Sequence, residues 1–242
     1  MQRKTWMNIL LSAAISISLS ACSNDTGKKE EVGGTGSDMI AGFFYLNGTD
    51  FVTNGKKTVE GATPTSDQNG KASAAYAFDG EKNAIEIPHR SEFNIQDKIT
   101  LSSWVYTESK RSAIILRKGA EVNGDSRCPY ELATSATGDV IFSLNLPVNG
   151  NMTWIQLRKS GYAKGEWFHV AGTYDGAEMK LYIDGDLENT KSATGKMNTN
   201  SSPLLIGTRL KIASSTWNGK IADVRIYNRA LSSNEIAELA GK

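Results

Sequence analysis

Nine Asn-Gly and Asp-Gly pairs divide this 242-residue sequence into short runs that are rich in β-branched and aromatic residues. Such pairs accept the positive φ angles that two-residue hairpin turns require, so they mark reversals between paired antiparallel strands. They fall at residues 47–48, 54–55, 69–70, 79–80, 123–124, 149–150, 175–176, 184–185 and 218–219. In the clearest case, Asp184-Gly185 reverses the chain, and Leu181 and Ile183 are predicted to face away from Tyr182.

Between these turns, hydrophobicity alternates with the period of two that is typical of half-buried strands. Predicted strands include residues 99–106, 114–117, 130–133, 139–144, 154–158, 167–174, 204–207 and 219–228. Many short strands with almost no helical periodicity predict an all-β sandwich or barrel.

One helix is predicted, and it lies at the C-terminus. Ser232 and Glu235 have the spacing of a capping box, in which each residue satisfies a backbone N–H of the other. Ile236 and Leu239 supply a small apolar face, and Gly241 can end the helix.

The N-terminus has the features of a secretory signal. Arg3 and Lys4 precede an apolar run at residues 9–19, which is shorter than the roughly 20 residues of a membrane span. The following Leu-Ser-Ala-Cys resembles the lipobox of bacterial lipoproteins. That resemblance implies a signal peptide at residues 1–21, cleavage before Cys22, and membrane attachment through lipid on Cys22.

Residues 22–38 are predicted to be a flexible tether between the lipid and a domain at residues 39–242. The segment is polar, Gly-rich and charged, so it cannot bury enough apolar surface to fold. The expected location is therefore the cell envelope. Ser23, where Asp tends to mark inner-membrane retention, favours the outer membrane if the organism is Gram-negative.

Three segments of the domain resemble the laminin-G-like, concanavalin A-like jelly roll in their order and spacing. They are residues 76–106 (YAFDG, AIEIP and ITLSSWVY), 165–185 (GEWFHVAGTYDG and KLYIDG) and 217–231 (WNGKIADVRIYNRAL). The resemblance covers about residues 40–240. It implies a two-sheet antiparallel jelly-roll sandwich of about a dozen strands, followed by the short helix.

Charge and cysteine content exclude some classes of function. The formal net charge is +1 and there is no basic stripe, so nucleic acid is not an expected partner. With Cys22 assigned to lipidation, Cys128 has no disulfide partner, and we expect it to be a buried apolar residue. The protein is expected to be a monomer.

The sequence does not predict an enzyme. Glycanases of this fold need two carboxylates flanking the scissile bond. The nearest match, Asp184, Asp186 and Glu188, begins at a hairpin tip and cannot occupy one strand face. Of the two histidines, His169 is predicted to be a hydrogen-bonded core residue on the same face as Trp167.

A structural calcium ion is a possibility that the resemblance raises, because many laminin-G-like domains bind calcium through hard oxygen ligands. The candidate ligands are Asn47, Asp50, Asp79 and Asp223, since first and last strands often lie side by side in jelly rolls. The alternative is that Asn47 and Asp79 only form turns and that Asp223 is hydrogen-bonded locally.

Aromatic side chains with polar neighbours suggest a ligand-binding face, because sugars present apolar faces and hydroxyl rims. Trp154 and Tyr162 are the less core-like aromatics, with Gln156 and Arg158 beside them. Cross-strand packing is the alternative role of Trp154. A second patch is expected from residues 118–130 and 209–215. By contrast, core positions are expected for Trp104, Trp167 and Trp217.

The leading interpretation is a non-catalytic binding module that recognises carbohydrate or a surface ligand. One alternative is a module for protein–protein adhesion or envelope assembly. The other is an unusual glycoside hydrolase of the concanavalin A-like fold.

Overall fold

The structure is a computed structural model that describes residues 39–42, 45–46, 49–50, 57–119, 128–209 and 213–242. The predicted signal peptide, Cys22 and the tether lie outside the described residues. Within these ranges there are seventeen strands and one α-helix. They are β1 (Met39–Gly42), β2 (Tyr45–Leu46), β3 (Thr49–Asp50), β4 (Thr58–Glu60), β5 (Thr63–Thr65), β6 (Ala75–Asp79), β7 (Ala84–Ile87), β8 (Ile99–Thr107), β9 (Ala113–Lys118), β10 (Tyr130–Thr134), β11 (Asp139–Val148), β12 (Asn151–Ser160), β13 (Trp167–Tyr174), β14 (Glu178–Ile183), β15 (Asp186–Ser192), β16 (Leu204–Ile206), β17 (Asn218–Tyr227) and α1 (Ser233–Leu239).

Two antiparallel sheets form the sandwich. The eight-stranded sheet has the order β15-β14-β13-β8-β17-β6-β5, with β1 also paired to β17. The seven-stranded sheet has the order β12-β11-β10-β9-β16-β7-β4, and β2 pairs with β3 separately. The predicted all-β jelly-roll sandwich is confirmed, as is the pairing of the first strand with the last. Short additional strands bring the number above the predicted dozen.

The predicted hairpin turns have the expected backbone geometry. Asp184 and Gly185 have φ angles of 49° and 83°, and Asn149 and Gly150 have 49° and 80°. Positive φ at both central residues matches the right-handed twist of the flanking strands, which is why these pairs join β14 to β15 and β11 to β12. The Asp184 carboxylate also accepts a 2.7 Å hydrogen bond from the His169 backbone N–H, so its role is structural.

The core lies between the two sheets and is apolar. Leu101 and Val105 of β8 face Phe142 and Leu144 of β11, and all four are fully buried. The sheets approach so closely at Gly172 that a Cβ atom there would lie 2.4 Å from the Phe142 ring. A glycine is therefore required in the middle of β13.

Helix α1 packs on the outer face of the eight-stranded sheet. Its Ile236 and Leu239 join Ala171, Tyr182 and Tyr227 in an apolar cluster outside the main core. The predicted capping box is confirmed by the reciprocal bonds between the side chains and backbones of Ser232 and Glu235. No helix in the described ranges is long and apolar enough to cross a membrane.

The core prediction for the three tryptophans is correct for Trp217 and wrong for Trp104 and Trp167. Trp217 is 1% exposed between the sheets. Trp104 and Trp167 are half-buried, because they occupy the alternate positions of β8 and β13 that face outward. Trp104 still has a structural partner there, since its Nε1 donates to the Leu239 carbonyl oxygen of α1 at 3.2 Å.

Candidate functional site

Three of the four predicted ligand-binding residues lie together on the outer face of the seven-stranded sheet. Trp154, Gln156 and Arg158 occupy alternate positions of the edge strand β12, so their side chains share one face. Their cross-strand partners on β11 are Asn145, Ser143 and Ile141, respectively. This outer face continues from the edge strand towards the middle of the sheet, across β10 and β9.

Two rows of side chains cross this face from the edge strand. The first row begins at Arg158 on the edge strand and continues through three apolar residues, Ile141, Ala133 and Ile114. These three residues form a small buried cluster. The polar row runs from Gln156 through Ser143 and Glu131 to Arg117. The face therefore has an apolar floor beside a band of hydrogen-bonding groups.

A pocket of about 390 Å³ opens over these rows. Gln156 and Arg158 line one side, and Arg209, Ser214 and Ser215 line another. Arg209, Ser214 and Ser215, which were predicted to belong to a second patch, therefore lie beside the first one. Of the other half of that expected patch, residues 118–130, the segment 120–127 lies outside the described residues.

Arg158 and Gln156 hold each other in place. Arg158 Nη2 donates to Gln156 Oε1 at 2.6 Å, and Gln156 Nε2 donates to Ser143 Oγ at 3.3 Å. Arg158 Nη1 is 3.5 Å from Asp139 Oδ2, and the Arg158 side chain remains 47% exposed. The guanidinium is thus oriented at the pocket rim but still accessible to solvent.

Asp139 orients Arg158 and remains ionised. Hydrogen bonds from the hydroxyls of Ser160, Thr137 and Ser135 lower the pKa of Asp139 to about 2. With its oxygens already accepting these bonds, the Asp139 carboxylate is unsuited to act as a general acid near neutral pH.

Glu131 and Arg117 form a buried ion pair at the pocket floor. Arg117 Nη1 donates to Glu131 Oε2, and the side chains are only 1% and 6% exposed. Arg117 Nε also donates to the Gly119 carbonyl oxygen at 2.9 Å. Glu131 is the only carboxylate that lines the pocket within the described ranges. Hydrolysis by a pair of carboxylates would need a second one at a fixed separation.

Trp154 occupies the outward-facing position of β12 that precedes Gln156, and it is 37% exposed. The ring is neither buried, as a purely packing residue would be, nor fully exposed. Its cross-strand partner Asn145 is buried, and within the described part of the chain the Asn145 Oδ1 atom accepts no hydrogen bond. Trp154 and Asn145 together extend the face beyond the pocket.

The prediction that Tyr162 belongs to this exposed surface is wrong. Tyr162 is only 6% exposed and stacks on Phe168 with ring centroids 5.4 Å apart. Strand β12 ends at Ser160, and Gly161, with φ of 102°, redirects the chain so that the ring enters the core. The alternation that aligns Trp154 with Arg158 therefore does not extend to Tyr162.

The calcium candidates that can be assessed do not form a shared site. Asp79 accepts hydrogen bonds from the backbone N–H groups of Glu81 and Lys82 and from Asn83 Nδ2, as in a turn. Asp223 accepts a 2.7 Å bond from Arg225 Nε in an irregular part of β17.

Asp79 and Asp223 also lie apart. Asp79 pairs with Asn218, whereas Asp223 is five residues further along β17, which corresponds to about 16 Å. Asn47 lies outside the described residues, and only the backbone of Asp50 is described. No group of three or more His, Cys, Asp or Glu side chains in the described ranges could hold a metal.

The remaining nucleophilic and titratable candidates have structural roles. His169 is 1% exposed and its Nε2 is 2.8 Å from Ser102 Oγ, so it is buried and hydrogen-bonded as predicted, but it lies on the outward face of β13 with Trp167 and not between the sheets. Burial lowers the pKa of His169 to about 3, so it is a poor general base. Cys128 is also buried as predicted, and burial raises the pKa of its thiol to about 12.

Sequence reasoning missed Glu131, Arg117 and Asn145. These residues could have been found because each is a charged or amide residue in an otherwise apolar strand, as is Glu131 between Tyr130 and Leu132. Such a residue indicates either a buried pair or a polar site.

The two packed antiparallel sheets define a β-sandwich of concanavalin A-like architecture. Residues 79–237 match the laminin G model of the concanavalin A-like lectin/glucanases superfamily. The chain belongs to that superfamily. A comparison with curated proteins finds no match.

Solved structures with the same fold include binding domains of clostridial toxins. The binding domain of Paraclostridial Mosquitocidal Protein 1 has a TM-score of 0.62 at 15% identity, over 84% of this chain and 52% of that one. The binding domain of botulinum neurotoxin DC in complex with SialylT has a TM-score of 0.61 at 15% identity, over 85% and 51%. This chain spans about half the length of these domains, and identities this low show the fold alone.

Proposed function

We propose that the domain is a non-catalytic binding module that recognises carbohydrate on the outer face of the seven-stranded sheet. The observation that carries the proposal is the alignment of Trp154, Gln156 and Arg158 on one face of β12, beside a pocket of about 390 Å³. An aromatic ring can stack on the apolar face of a sugar, while amide and guanidinium groups bind its hydroxyls.

Two further features support a sugar over a fully apolar ligand. The pocket combines an apolar floor, formed by Ile114, Ala133 and Ile141, with several polar rim groups, which is the usual composition of small-ligand sites. The toxin binding domain that was solved in complex with SialylT shares this fold over about half of its length, and this likeness supports a binding role for the sandwich.

The proposal is tested by screening the full-length protein on a broad glycan and polysaccharide array, with calcium and with chelator. Trp154→Ala should weaken binding at least about tenfold. The matched control is Leu187→Ala, which removes an apolar side chain that is 49% exposed on the neighbouring edge strand β15. Loss of binding on chelation alone would indicate a metal, with Asn47 and Asp50 as the remaining candidates. An array with no positive spot would contradict the proposal.

Adhesion to a protein is the second candidate, and one observation favours it. Met152, near the tip of the β11–β12 hairpin, is 40% exposed and shares the outward face of β12 with Trp154, whereas Val148, also 40% exposed, alternates to the opposite face. Exposed apolar groups that cluster in this way are typical of interaction surfaces. A Met152→Ser variant that loses capture of an envelope protein, while glycan binding is absent from the wild type, would favour adhesion.

Catalysis is the weakest alternative. The pocket presents one carboxylate in the described ranges, and Arg117 already pairs with it. Incubation of the protein with any glycan that it binds should leave the glycan intact, as judged by the appearance of new reducing ends. Steady release that a folded Glu131→Gln variant loses while it still binds the glycan would show that the module is a glycanase.

We further propose that lipid on Cys22 anchors the protein in the cell envelope, in the outer membrane where the organism has one. The support is the lipobox resemblance and the polar segment at residues 22–38. A labelled fatty acid should be incorporated into the wild type and not into Cys22→Ser, and the variant should leave the membrane fraction. Unchanged fractionation of Cys22→Ser would contradict the anchor.

A further inference from the structure

The strands at the ends of the two sheets differ in how well their open edges are protected. The sheet orders end in β15, β5, β12 and β4. The backbone groups on the open side of an end strand can pair with another chain, and proteins prevent this with short strands, proline or charged side chains. Strands β4 and β5 have three residues each, and β5 contains Pro64. Strand β15 carries Asp186, Glu188 and Lys191, so these three edges are protected.

The first part of β12 has none of these protections. The strand is ten residues long, and its residues 151–156 (NMTWIQ) include no charge, no proline and no glycine. Charged side chains begin only at Arg158. Met152 and Trp154 are 40% and 37% exposed, so no described element covers this part of the strand. A neutral segment of this kind, rich in residues that favour strands, is suited to recruit a further strand.

The hairpin turn determines which backbone groups of β12 are free. In a two-residue hairpin, the residues that flank the turn exchange both of their backbone hydrogen bonds. Val148 and Asn151 are these residues, so Asn151 and every second residue after it bond to β11. The backbone N–H and C=O groups of Met152, Trp154 and Gln156 therefore point away from β11. The described part of the chain provides no hydrogen-bond partner for them.

The protein itself closes the other end of this edge. The next outward-pointing carbonyl along the strand, that of Arg158, accepts a 2.8 Å hydrogen bond from Asn189 Nδ2 of β15. Lys159 also forms an ion pair with Glu188 of β15. The free part of the edge is therefore limited to residues 152–156.

A second copy of this chain fits the free part of the edge in one antiparallel register. A two-fold pairing centred on Trp154 places Trp154 opposite its own copy and Met152 opposite Gln156, so every free backbone group meets a free group. A centre shifted by one residue towards the turn would place Gln156 opposite the turn residue Gly150. A centre shifted by one residue away from the turn would place Met152 opposite Arg158, whose carbonyl is already occupied. With the centre at Trp154, Gly150 faces Arg158, so no like charges meet.

We infer that two copies of the protein associate by antiparallel pairing of β12 with β12, centred on Trp154. The two seven-stranded sheets then form one continuous sheet, and the outer faces with the candidate pockets lie side by side. This dimer takes the place of the monomer that was expected from the sequence. The inference does not rest on carbohydrate recognition, because backbone groups at the strand edge make the contact. Since the paired segment is short, the dimer should be weak and reversible.

Sedimentation equilibrium of the full-length protein in a density-matched detergent tests the association. The protein mass should rise from one chain towards two across a range of about 5–200 µM, as expected for a small interface. A mass of one chain across this range would overturn the inference. A mass that rises beyond two chains would also overturn it, because two-fold pairing of a single edge closes at the dimer.

Two variants with charged side chains test the register. In Met152→Lys/Gln156→Lys, two introduced ammonium groups face each other in each pair, and like charges directly opposite each other destabilise paired strands. In Met152→Glu/Gln156→Lys, each pair has opposite charges. The first variant should therefore have a dimer dissociation constant at least about tenfold above that of the second. Equal dissociation constants would overturn the register.

The two variants control for each other, since they differ only at residue 152 and share any effect of the change at Gln156. Val59→Lys adds a charge to β4, at the opposite edge of the same sheet, where Val59 is 36% exposed. This variant should have the dissociation constant of the wild type. A tenfold weakening in Val59→Lys would show that the association does not use β12.

Crosslinking gives a direct measure of the pairing. Trp154→Cys should form a disulfide-linked dimer under mild oxidation, because directly opposed Cα atoms about 5.5 Å apart suit a disulfide. Met152→Cys, which faces Gln156 of the other copy, should form none. The wild type is the control, since its Cys128 is buried. Crosslinking of Met152→Cys without crosslinking of Trp154→Cys would overturn the pairing centred on Trp154.

The outcomes distinguish this inference from the carbohydrate proposal. A protein with the mass of one chain that still binds a glycan would overturn the dimer alone. A dimer that binds no glycan would support the inference and contradict carbohydrate recognition. A peptide probe separates a second copy from other strands. Equal binding of a peptide with residues 150–158 and of its scrambled sequence would assign the edge to extended peptides in general, and would overturn a second copy as its occupant.

Discussion

Arg117 and Glu131 form an ion pair that is almost completely buried beneath the outer face of the seven-stranded sheet, at the floor of the candidate pocket. The two residues face each other across adjacent strands β9 and β10. Burying an ion pair costs desolvation energy, so the pair itself adds little net stability. Its consequence is that neither partner can be removed alone without leaving an uncompensated buried charge.

Arg117→Met should destabilise the protein by about 3–5 kcal/mol, because it leaves the Glu131 carboxylate buried without its partner. The measurement is urea unfolding followed by tryptophan fluorescence. The double variant Arg117→Met/Glu131→Leu should recover most of this loss, since both charges are then gone. A single variant that loses less than about 1 kcal/mol would show that the pair is solvated in solution.

Trp154→Ala should impair binding and Tyr162→Ala should impair stability, although Trp154 lies in β12 and Tyr162 follows the same strand closely. Tyr162 is buried against Phe168, so its truncation should cost about 3–5 kcal/mol of stability. Trp154 is 37% exposed, so its truncation should cost less than about 1 kcal/mol while glycan affinity falls at least about tenfold. Unfolding and binding measured on the same samples check both.

A Tyr162→Phe variant serves as the control for that comparison, since it keeps the buried ring. It should retain most of the stability. Loss of glycan binding in Tyr162→Phe, with stability preserved, would return Tyr162 to the binding surface and contradict the burial argument.

Features of the site that depend on alternation within one strand could be predicted from the sequence. Features that depend on the pairing register between strands could not. Trp154, Gln156 and Arg158 could be grouped because alternation along one strand determines a shared face. Tyr162 could not be placed, since the single glycine before it redirects the chain. The partnership of Arg117 with Glu131 depends on the pairing of β9 with β10, which contains an irregularity next to Leu132. Sequence alternation alone cannot locate such an irregularity.

The limits of sequence alternation also explain why Trp104 and Trp167 of the eight-stranded sheet were wrongly predicted to lie in the core. Alternation correctly predicted that Trp167 and His169 share a face. It could not predict which face of β13 is inside, because helix α1 makes the outer face nearly as apolar as the core, with Ala171, Tyr182 and Tyr227 buried there.

Ser232→Ala should destabilise the protein by about 1 kcal/mol, because it removes the N-terminal cap of α1. For a domain of about 200 residues this corresponds to a fall in Tm of about 2–4 °C. Trp104 fluorescence should change with it, since Trp104 Nε1 donates to the Leu239 carbonyl oxygen in that helix. Asn234→Ala, at an exposed helical position, is the control and should leave the Tm unchanged or slightly raised. An unchanged Tm in Ser232→Ala would show that the helix is held by packing alone.

His169 should make the stability of the protein depend on pH in a defined window. Its pKa is lowered from 6.5 to about 3, mainly by burial and secondarily by Arg225. The unfolded chain therefore binds a proton at higher pH than the folded protein does. Stability is full above about pH 6.5 and falls as the pH drops towards 3, where the folded protein is also protonated.

Between pH 6.5 and 4.5 the loss from His169 should be about 2–3 kcal/mol, since each pH unit below the unfolded pKa costs about 1.4 kcal/mol. Asp139 and Glu235 do not account for a loss of stability in this window. Their pKa values are lowered to about 2, so their contributions to the free energy of unfolding are lost only at more acidic pH. Urea unfolding across the window should show the slope in the wild type and a much smaller slope in His169→Gln. The matched control is His89→Gln, which removes the other histidine and should keep most of the slope because His89 is the more exposed of the two. A slope that survives in His169→Gln and disappears in His89→Gln would assign the pH dependence to the Lys118–His89 contact instead.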